Sequence, residues 1–251
     1  MKETLQTMTW GTFGAVHLLS LVFAVLLNVG LYFLLKRCPV KIQLAILFVL
    51  SLSGIAAIIF NLVSWNSPLE YLPFHLCSLN AMVLPFAVLT RNKVLSNLTL
   101  LWSLGAAVAL ILNYGTAEAM LLDKVFCFYF FPHVFEMSIP ILLFKLGLCK
   151  LDAKCIGSTV GITLGAYTVI HFINLAINRH CIEKNVLDWA GDVIQVNYMY
   201  SITPDNPFLA LFYNFIPYQF WYMLPALLIA AIYLAAIYGT AALIRRKRAT
   251  A

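Results

Sequence analysis

The chain has 251 residues, of which 63 % are hydrophobic and 10 % charged, with a mean hydropathy of +0.91. Soluble domains are about half apolar and a quarter charged, and disordered chains are poor in apolar residues, so both classes are excluded. What remains is an integral membrane protein. Its net charge of +6 then has to be read from where the basic residues fall, and does not by itself call for an acidic partner.

A helix needs about 20 apolar residues to cross a hydrocarbon core of about 30 Å. Seven stretches qualify in chain order: Thr12–Leu35, Ile42–Val63, Leu72–Leu89, Val94–Leu112, Val125–Phe144, Cys155–Ile177 and roughly Tyr218–Leu243. The expected fold class is an all-α membrane protein, a single polytopic domain built as a seven-transmembrane-helix bundle. The apolar run Pro207–Ile216, set off from the last span by Pro217, reads as a short interfacial or re-entrant piece. No internal repeat, low-complexity tract or cleavable leader stands out, and the stretch 178–206 is long enough to form a lid.

The connecting segments alternate in charge. Lys36, Arg37, Lys41, Arg91, Lys93, Lys145, Lys150, Lys154, Arg245, Arg246, Lys247 and Arg248 fall on one side. Only Lys2, Lys124, Arg179 and Lys184 fall on the other, together with eight of the ten acids. Twelve basic residues against four predict an outside N-terminus and a cytoplasmic C-terminus. This asymmetry accounts for the basic pI with no nucleic-acid partner, and the Arg245–Arg248 run suits an anionic inner leaflet. Cys127 and Cys181 are both expected near the outer face, where they could pair.

Ionisable groups inside spans are costly and mark function. At about 1.5 Å per residue, His17, His75, His133 and His171 fall in one layer of the outer half, from four different spans. Glu136 lies one turn below His133 on the same helical face. Asn80, Asn113 and Asn174 add amides at similar depth. Separate interhelical hydrogen bonds would explain one such histidine. Four in a layer with a carboxyl point to a shared polar cavity. Imidazoles there can act as general bases, bind a ligand, relay protons or hold zinc. No HExxH spacing supports zinc, so no cofactor is expected, with zinc as the minority alternative. Nucleophilic catalysis needs a thiol or hydroxyl near a base, and Cys77 is the candidate.

The segment Tyr71-Leu-Pro-Phe-His-Leu-Cys-Ser-Leu79 resembles the Leu-Pro-x-His-Leu-Cys signature of the YwaF-like bacterial integral membrane family. Pro132-His133-Val134 with Pro140, His171-Phe172, and Asn197-Tyr-Met199 … Pro204-Asp-Asn-Pro207-Phe208 resemble its later motifs in the same order, and His17 fits the expected first-span histidine. That family is similar to a eukaryotic branch of transmembrane phospholipid acyltransferases. The resemblance implies a multi-pass protein of the bacterial plasma membrane that transfers or cleaves lipid acyl chains, with membrane lipids as its partners. Where the eukaryotic branch carries its cysteine nucleophile, this chain has Phe74; Cys77, three residues on, falls on nearly the same helical face. The expected catalytic set is therefore Cys77 as nucleophile, His133 as base, Glu136 to orient it, and His75 or Asn80 to donate to the oxyanion. His17, Asn80, His171, Asn174 and Asn197 are the expected substrate-binding residues. A non-enzymatic carrier or receptor, and a zinc-dependent lipid hydrolase, remain as alternatives.

Overall fold

The computed structural model describes residues 8–65, 67–113 and 115–250. Lys2 and Glu3, counted in the charge asymmetry, and the side chains of Arg245 and Arg248 lie outside the described residues. Among the described residues there are eight α-helices and no strand beyond two isolated bridges. The helices are α1 (Ala15–Lys36), α2 (Val40–Ser64), α3 (Leu76–Thr90), α4 (Lys93–Leu112), α5 (Lys124–Lys145), α6 (Ile156–Lys184), α7 (Pro207–Phe215) and α8 (Leu224–Thr250). Six segments are long and apolar enough to cross a bilayer: α1, α2, α4, α5, α6 with the turn before it, and α8 with the turn before it. Their exposed side chains are apolar in large part (Leu19, Leu26, Phe172, Leu228), as contact with lipid requires. The protein is a multi-pass integral membrane protein.

Polar residues set the helix ends. Asn92 accepts from the amides of Val94 and Leu95 (2.9 and 3.1 Å) and starts α4; Asp123 accepts from the Phe126 amide (2.7 Å) and starts α5. Asn206 does the same for Leu209 (2.9 Å), with Pro207 in the first turn of α7. Asn113 and Asn185 end α4 and α6 in the left-handed region, where asparagine is tolerated better than most residues.

Three boundaries differ from the sequence expectation. Helix α3 begins at Leu76, not Leu72, because Pro73 and its neighbours hold an irregular segment, and its 15 residues leave it outside the six segments long enough to cross a bilayer. Helix α6 continues past Ile177 to Lys184, so the first part of the expected lid is helix, braced by an Arg179–Glu183 pair (2.7 Å). Helix α8 begins at Leu224 after a 3₁₀ turn at Trp221–Met223. The short α7 stands where the interfacial run was expected.

The chain divides into two compact units. One comprises α1–α5, residues 8–64 and 76–150; the other holds residues 65–75 and 151–250, with α6–α8. In the five-helix unit α5 packs against α2, α3 and α4, and α3 lies between α2 and α4. Two apolar clusters fill it. One joins Leu35, Leu47, Val88, Leu143 and Leu148 at the end that carries the basic loops; the other gathers Trp10, Leu110, Phe126, Phe130 and Val134 towards the opposite end. On α5, Glu136 falls between Val134 of one cluster and Ile139 of the other. Pro85, Pro132 and Pro140 stand inside α3 and α5. Lacking an N–H, Pro85 and Pro140 leave the carbonyls of Ala81 and Glu136 without their intrahelical donors.

Candidate functional site

In the five-helix unit, polar side chains meet where α2, α3 and α5 come closest. A Cβ on Gly54 would stand 2.5 Å from the Ala81 Cβ and 3.0 Å from the Glu136 carboxyl, so only glycine fits there. Glu136 is 4 % exposed, and its Oε2 has no hydrogen-bond partner among the described residues. The fully buried Asn80 amide interacts with that carboxyl, but neither its Nδ2 nor its Oδ1 meets a partner at good hydrogen-bonding geometry. His133 and Cys77 lie within electrostatic reach of the same carboxyl.

His133 has one ring nitrogen committed. Its Nδ1 stands 2.7 Å from the Tyr129 carbonyl, which can only accept. The neutral ring therefore carries its proton on Nδ1 and keeps a lone pair on Nε2, the state a general base requires. The orienting group is thus a backbone carbonyl. Glu136, expected in that role, lies within electrostatic reach of His133, but the hydrogen bond that fixes the ring is the one to Tyr129.

His17 belongs to the same unit but has both ring nitrogens satisfied. Nδ1 accepts from the Phe13 amide (2.9 Å) and Nε2 donates to the Leu110 carbonyl (2.8 Å). It is fully buried beside Trp10, with edge-on rings 5.4 Å apart. Here the histidine ties α1 to the end of α4. Asn113 donates to the Gly11 carbonyl and accepts from Thr12, closing the same corner.

His75, His171, Asn174 and Asn197 belong to the other unit. Its segment 197–203 carries Met199 and Tyr200 with φ of +51° and +54°, costly values for bulky residues that persist only when the surroundings impose them. Asn174 accepts from the Tyr198 amide (3.0 Å) and donates to its carbonyl (2.8 Å) and to Ser201 Oγ (2.9 Å). Asn197 bonds the Ile202 amide (2.9 Å) and the Thr203 carbonyl (2.8 Å), and Tyr222 donates to the carbonyls of Tyr200 and Thr203. The Tyr198 hydroxyl reaches the Leu69 carbonyl; burial pushes its pKa up to about 12, so it stays a donor at any physiological pH. His75 packs its ring against Tyr198 and Tyr200 at 5.4 and 5.5 Å. His171 Nδ1 lies 3.0 Å from Ser201 Oγ. That is the reach of a hydroxyl and its base, but Ser201 has no exposed surface and is also held by Asn174.

The histidines expected in one layer thus divide two and two between the units. Ser201, Tyr198 and Tyr222 were not singled out from the sequence, although two of them lie within the 197–208 stretch that carries one of the recurring motifs.

Residues 12–240 match the TMEM164 family. The chain belongs to that family. The matched region contains His17, the 71–79 segment, His133, His171 and the 197–208 stretch. No curated protein and no solved structure matches the chain.

Two further facts bear on the chemistry open to this family member. All six cysteines are free thiols, Cys127 and Cys181 included, so the pairing expected near the outer face is not formed. Among the described residues no three His, Cys, Asp or Glu side chains stand close enough to share a metal ion.

Proposed function

We propose that this protein is a membrane-embedded acyltransferase or acyl-ester hydrolase that acts on phospholipid or related lipid acyl chains. The observation that carries the reading is the group of unpartnered polar atoms on Asn80 and Glu136, buried beside a thiol and a histidine. Buried polar groups are normally satisfied, and leaving them bare costs about 1–3 kcal/mol each. A ligand that is apolar over most of its length and polar at one point, as a lipid ester is, would supply what they lack. The resemblance at residues 71–79 and 132–140 favours the same chemistry.

In this reading the Cys77 thiol gives its proton to His133 Nε2 as sulfur attacks the ester carbonyl. The Asn80 Nδ2–H donates to the oxyanion. The C–S bond forms, the C–O bond breaks, and His133 returns the proton to the departing alcohol. Water or an acceptor alcohol, deprotonated by the same nitrogen, then attacks the thioester and frees the thiol. His75, the other expected oxyanion donor, packs its ring against Tyr198 and Tyr200 and is given no role in this step. Seven crossings, N-terminus outside and α3 spanning together with the segment before it, complete the proposal on the strength of the basic asymmetry.

The test uses the full chain in nanodiscs with phosphatidylcholine radiolabelled in its acyl chains. Acyl release or transfer, with a hydroxylamine-labile label on Cys77 that Cys77→Ala removes, is the expected result. Full turnover by Cys77→Ala overturns the thiol mechanism, and no turnover of any labelled glycerophospholipid overturns the enzymatic reading.

A further inference from the structure

A lipid ester has only acceptor oxygens, so in the Asn80–Glu136 group it answers the N–H of Asn80 and leaves the oxygens beside it. Those oxygens are Asn80 Oδ1 and Glu136 Oε2, which meet no partner although their residues are 0 % and 4 % exposed. Two backbone carbonyls join them. Pro85 and Pro140 have no N–H to give, so Ala81, next to Asn80, and Glu136 itself keep carbonyls without the usual helical donor. The group is rich in acceptors, and Asn80 Nδ2 is its donor.

Its charge is equally one-sided. In α1–α5 every lysine and arginine stands at a helix end or in a connecting segment, and Glu136 lies near the middle of α5. The groups within reach of its carboxyl are His133, Cys77 and Asn80. His133 gives its Nδ1 hydrogen to the Tyr129 carbonyl and, neutral as a base must be, brings no positive charge. A buried charge is kept where it is paired or where it holds a metal ion. Protonation of Glu136 would remove the charge but leave most of the oxygens bare, because one proton serves one acceptor.

We infer that the Asn80–Glu136 group binds a sodium ion. Carboxylate, amide and carbonyl oxygens are hard ligands, suited to hard cations and not to the transition metals that favour imidazole or thiolate. A single carboxylate balances a single positive charge, which selects a monovalent ion. Helices interrupted within the membrane present bare carbonyls to such ions, and α3 and α5 are both interrupted by proline next to the group. Gly54 closes it on the α2 side, where a Cβ would stand 3.0 Å from Glu136 Oε1. With Oδ1 on the ion, the Asn80 amide keeps its Nδ2–H for an ester oxygen, so the two ligands do not compete. The site goes beyond the acyl-transfer reading and does not depend on it.

Equilibrium binding of radioactive sodium to the full chain in phosphatidylcholine nanodiscs tests the site, because it reads the ion and needs no turnover. Saturable binding that approaches one ion per chain is expected. Affinity should fall about tenfold or more in Glu136→Gln, which removes the only formal charge among the ligands. Asn80→Leu should weaken binding as well, and Ser201→Ala, in the other unit, should leave it unchanged. Melting in sodium chloride against choline chloride guards against a variant that folds poorly. The wild-type protein should melt higher in sodium, and Glu136→Gln should melt alike in both salts. Absence of saturable binding, or full retention of it by Glu136→Gln, overturns the site. Sodium binding by a chain that turns over no lipid leaves the site standing and removes the acyl-transfer reading alone; turnover without sodium binding does the reverse.

Discussion

The two units hold similar sets of polar side chains and treat them in opposite ways. Around segment 197–203, Asn174 makes three hydrogen bonds and Asn197 at least three, while Tyr222 bonds two carbonyls, and all serve to hold a strained backbone. Around Gly54, Asn80 interacts with the Glu136 carboxyl without good hydrogen-bonding geometry, and one oxygen of that carboxyl has no partner, although both residues are deeply buried. Burial of an asparagine therefore says little about its task. The count of its satisfied atoms says more, because an unsatisfied buried amide is destabilising by itself and is retained only where something else needs it. Segment 197–203 is held in place by its side chains, whereas under the proposed function the Asn80–Glu136 group receives a partner.

The largest effect that would sharpen the contrast is on turnover. His133→Ala removes the base and should lower acyl transfer by about 10² to 10⁴-fold, and Cys77→Ala should abolish it. Ser201→Ala, which removes the hydroxyl beside His171, should leave the rate per folded molecule within a few-fold of wild type. Should Ser201→Ala instead lose activity while Cys77→Ala keeps it, the two groups have exchanged roles and the nucleophile is the hydroxyl.

Stability gives the next largest difference. Asn174→Leu breaks three hydrogen bonds and strands the Tyr198 amide and carbonyl, a loss of about 2–4 kcal/mol. Asn80→Leu, of similar volume, breaks none and removes two bare polar atoms, so its melting temperature in detergent should equal or exceed that of wild type. A drop of the same size at both positions would erase the distinction drawn here. Gly54→Ala should cost about 1–3 kcal/mol through the clash with Ala81, since backbone and a short side chain cannot move aside.

Much of the fold is legible in the sequence, because length and apolarity decide where a helix can cross and basic loops mark the ends. The corrections arise where polarity and helicity part company. Asn178, Arg179 and Glu183 are polar enough to look like loop, but they are compatible with helix, and only Asn185 stops it. Pro73 lies in an apolar run that reads as membrane, yet it delays α3 to Leu76. For the site, depth along each span grouped His17, His75, His133 and His171 by expected level alone and said nothing about azimuth or about partners. That His17 is satisfied on both nitrogens follows from the Phe13 amide and the Leu110 carbonyl, backbone atoms that no residue pattern announces. The Tyr129 carbonyl that orients His133 is hidden for the same reason, although it lies only four residues away. Ser201 was passed over because a hydroxyl in a loop gives no signal until the fold brings it to His171.

The smallest effect tests the Asn80–Glu136 group most directly. Glu136→Gln keeps the shape of the side chain beside Gly54 and breaks no hydrogen bond of Oε2, which has none. Its cost to the fold should therefore stay within about 1 kcal/mol, the range of substitutions that disturb neither packing nor pairing. Its effect on turnover should be larger than its effect on stability, because the amide replaces a carboxyl that stands within reach of His133 and Cys77. Measured together, the melting temperature and the rate separate the two roles. If Glu136→Gln costs more than about 3 kcal/mol, the carboxyl is a structural tie of the kind found around Asn174, and the group at Gly54 holds the bundle together in place of binding a ligand.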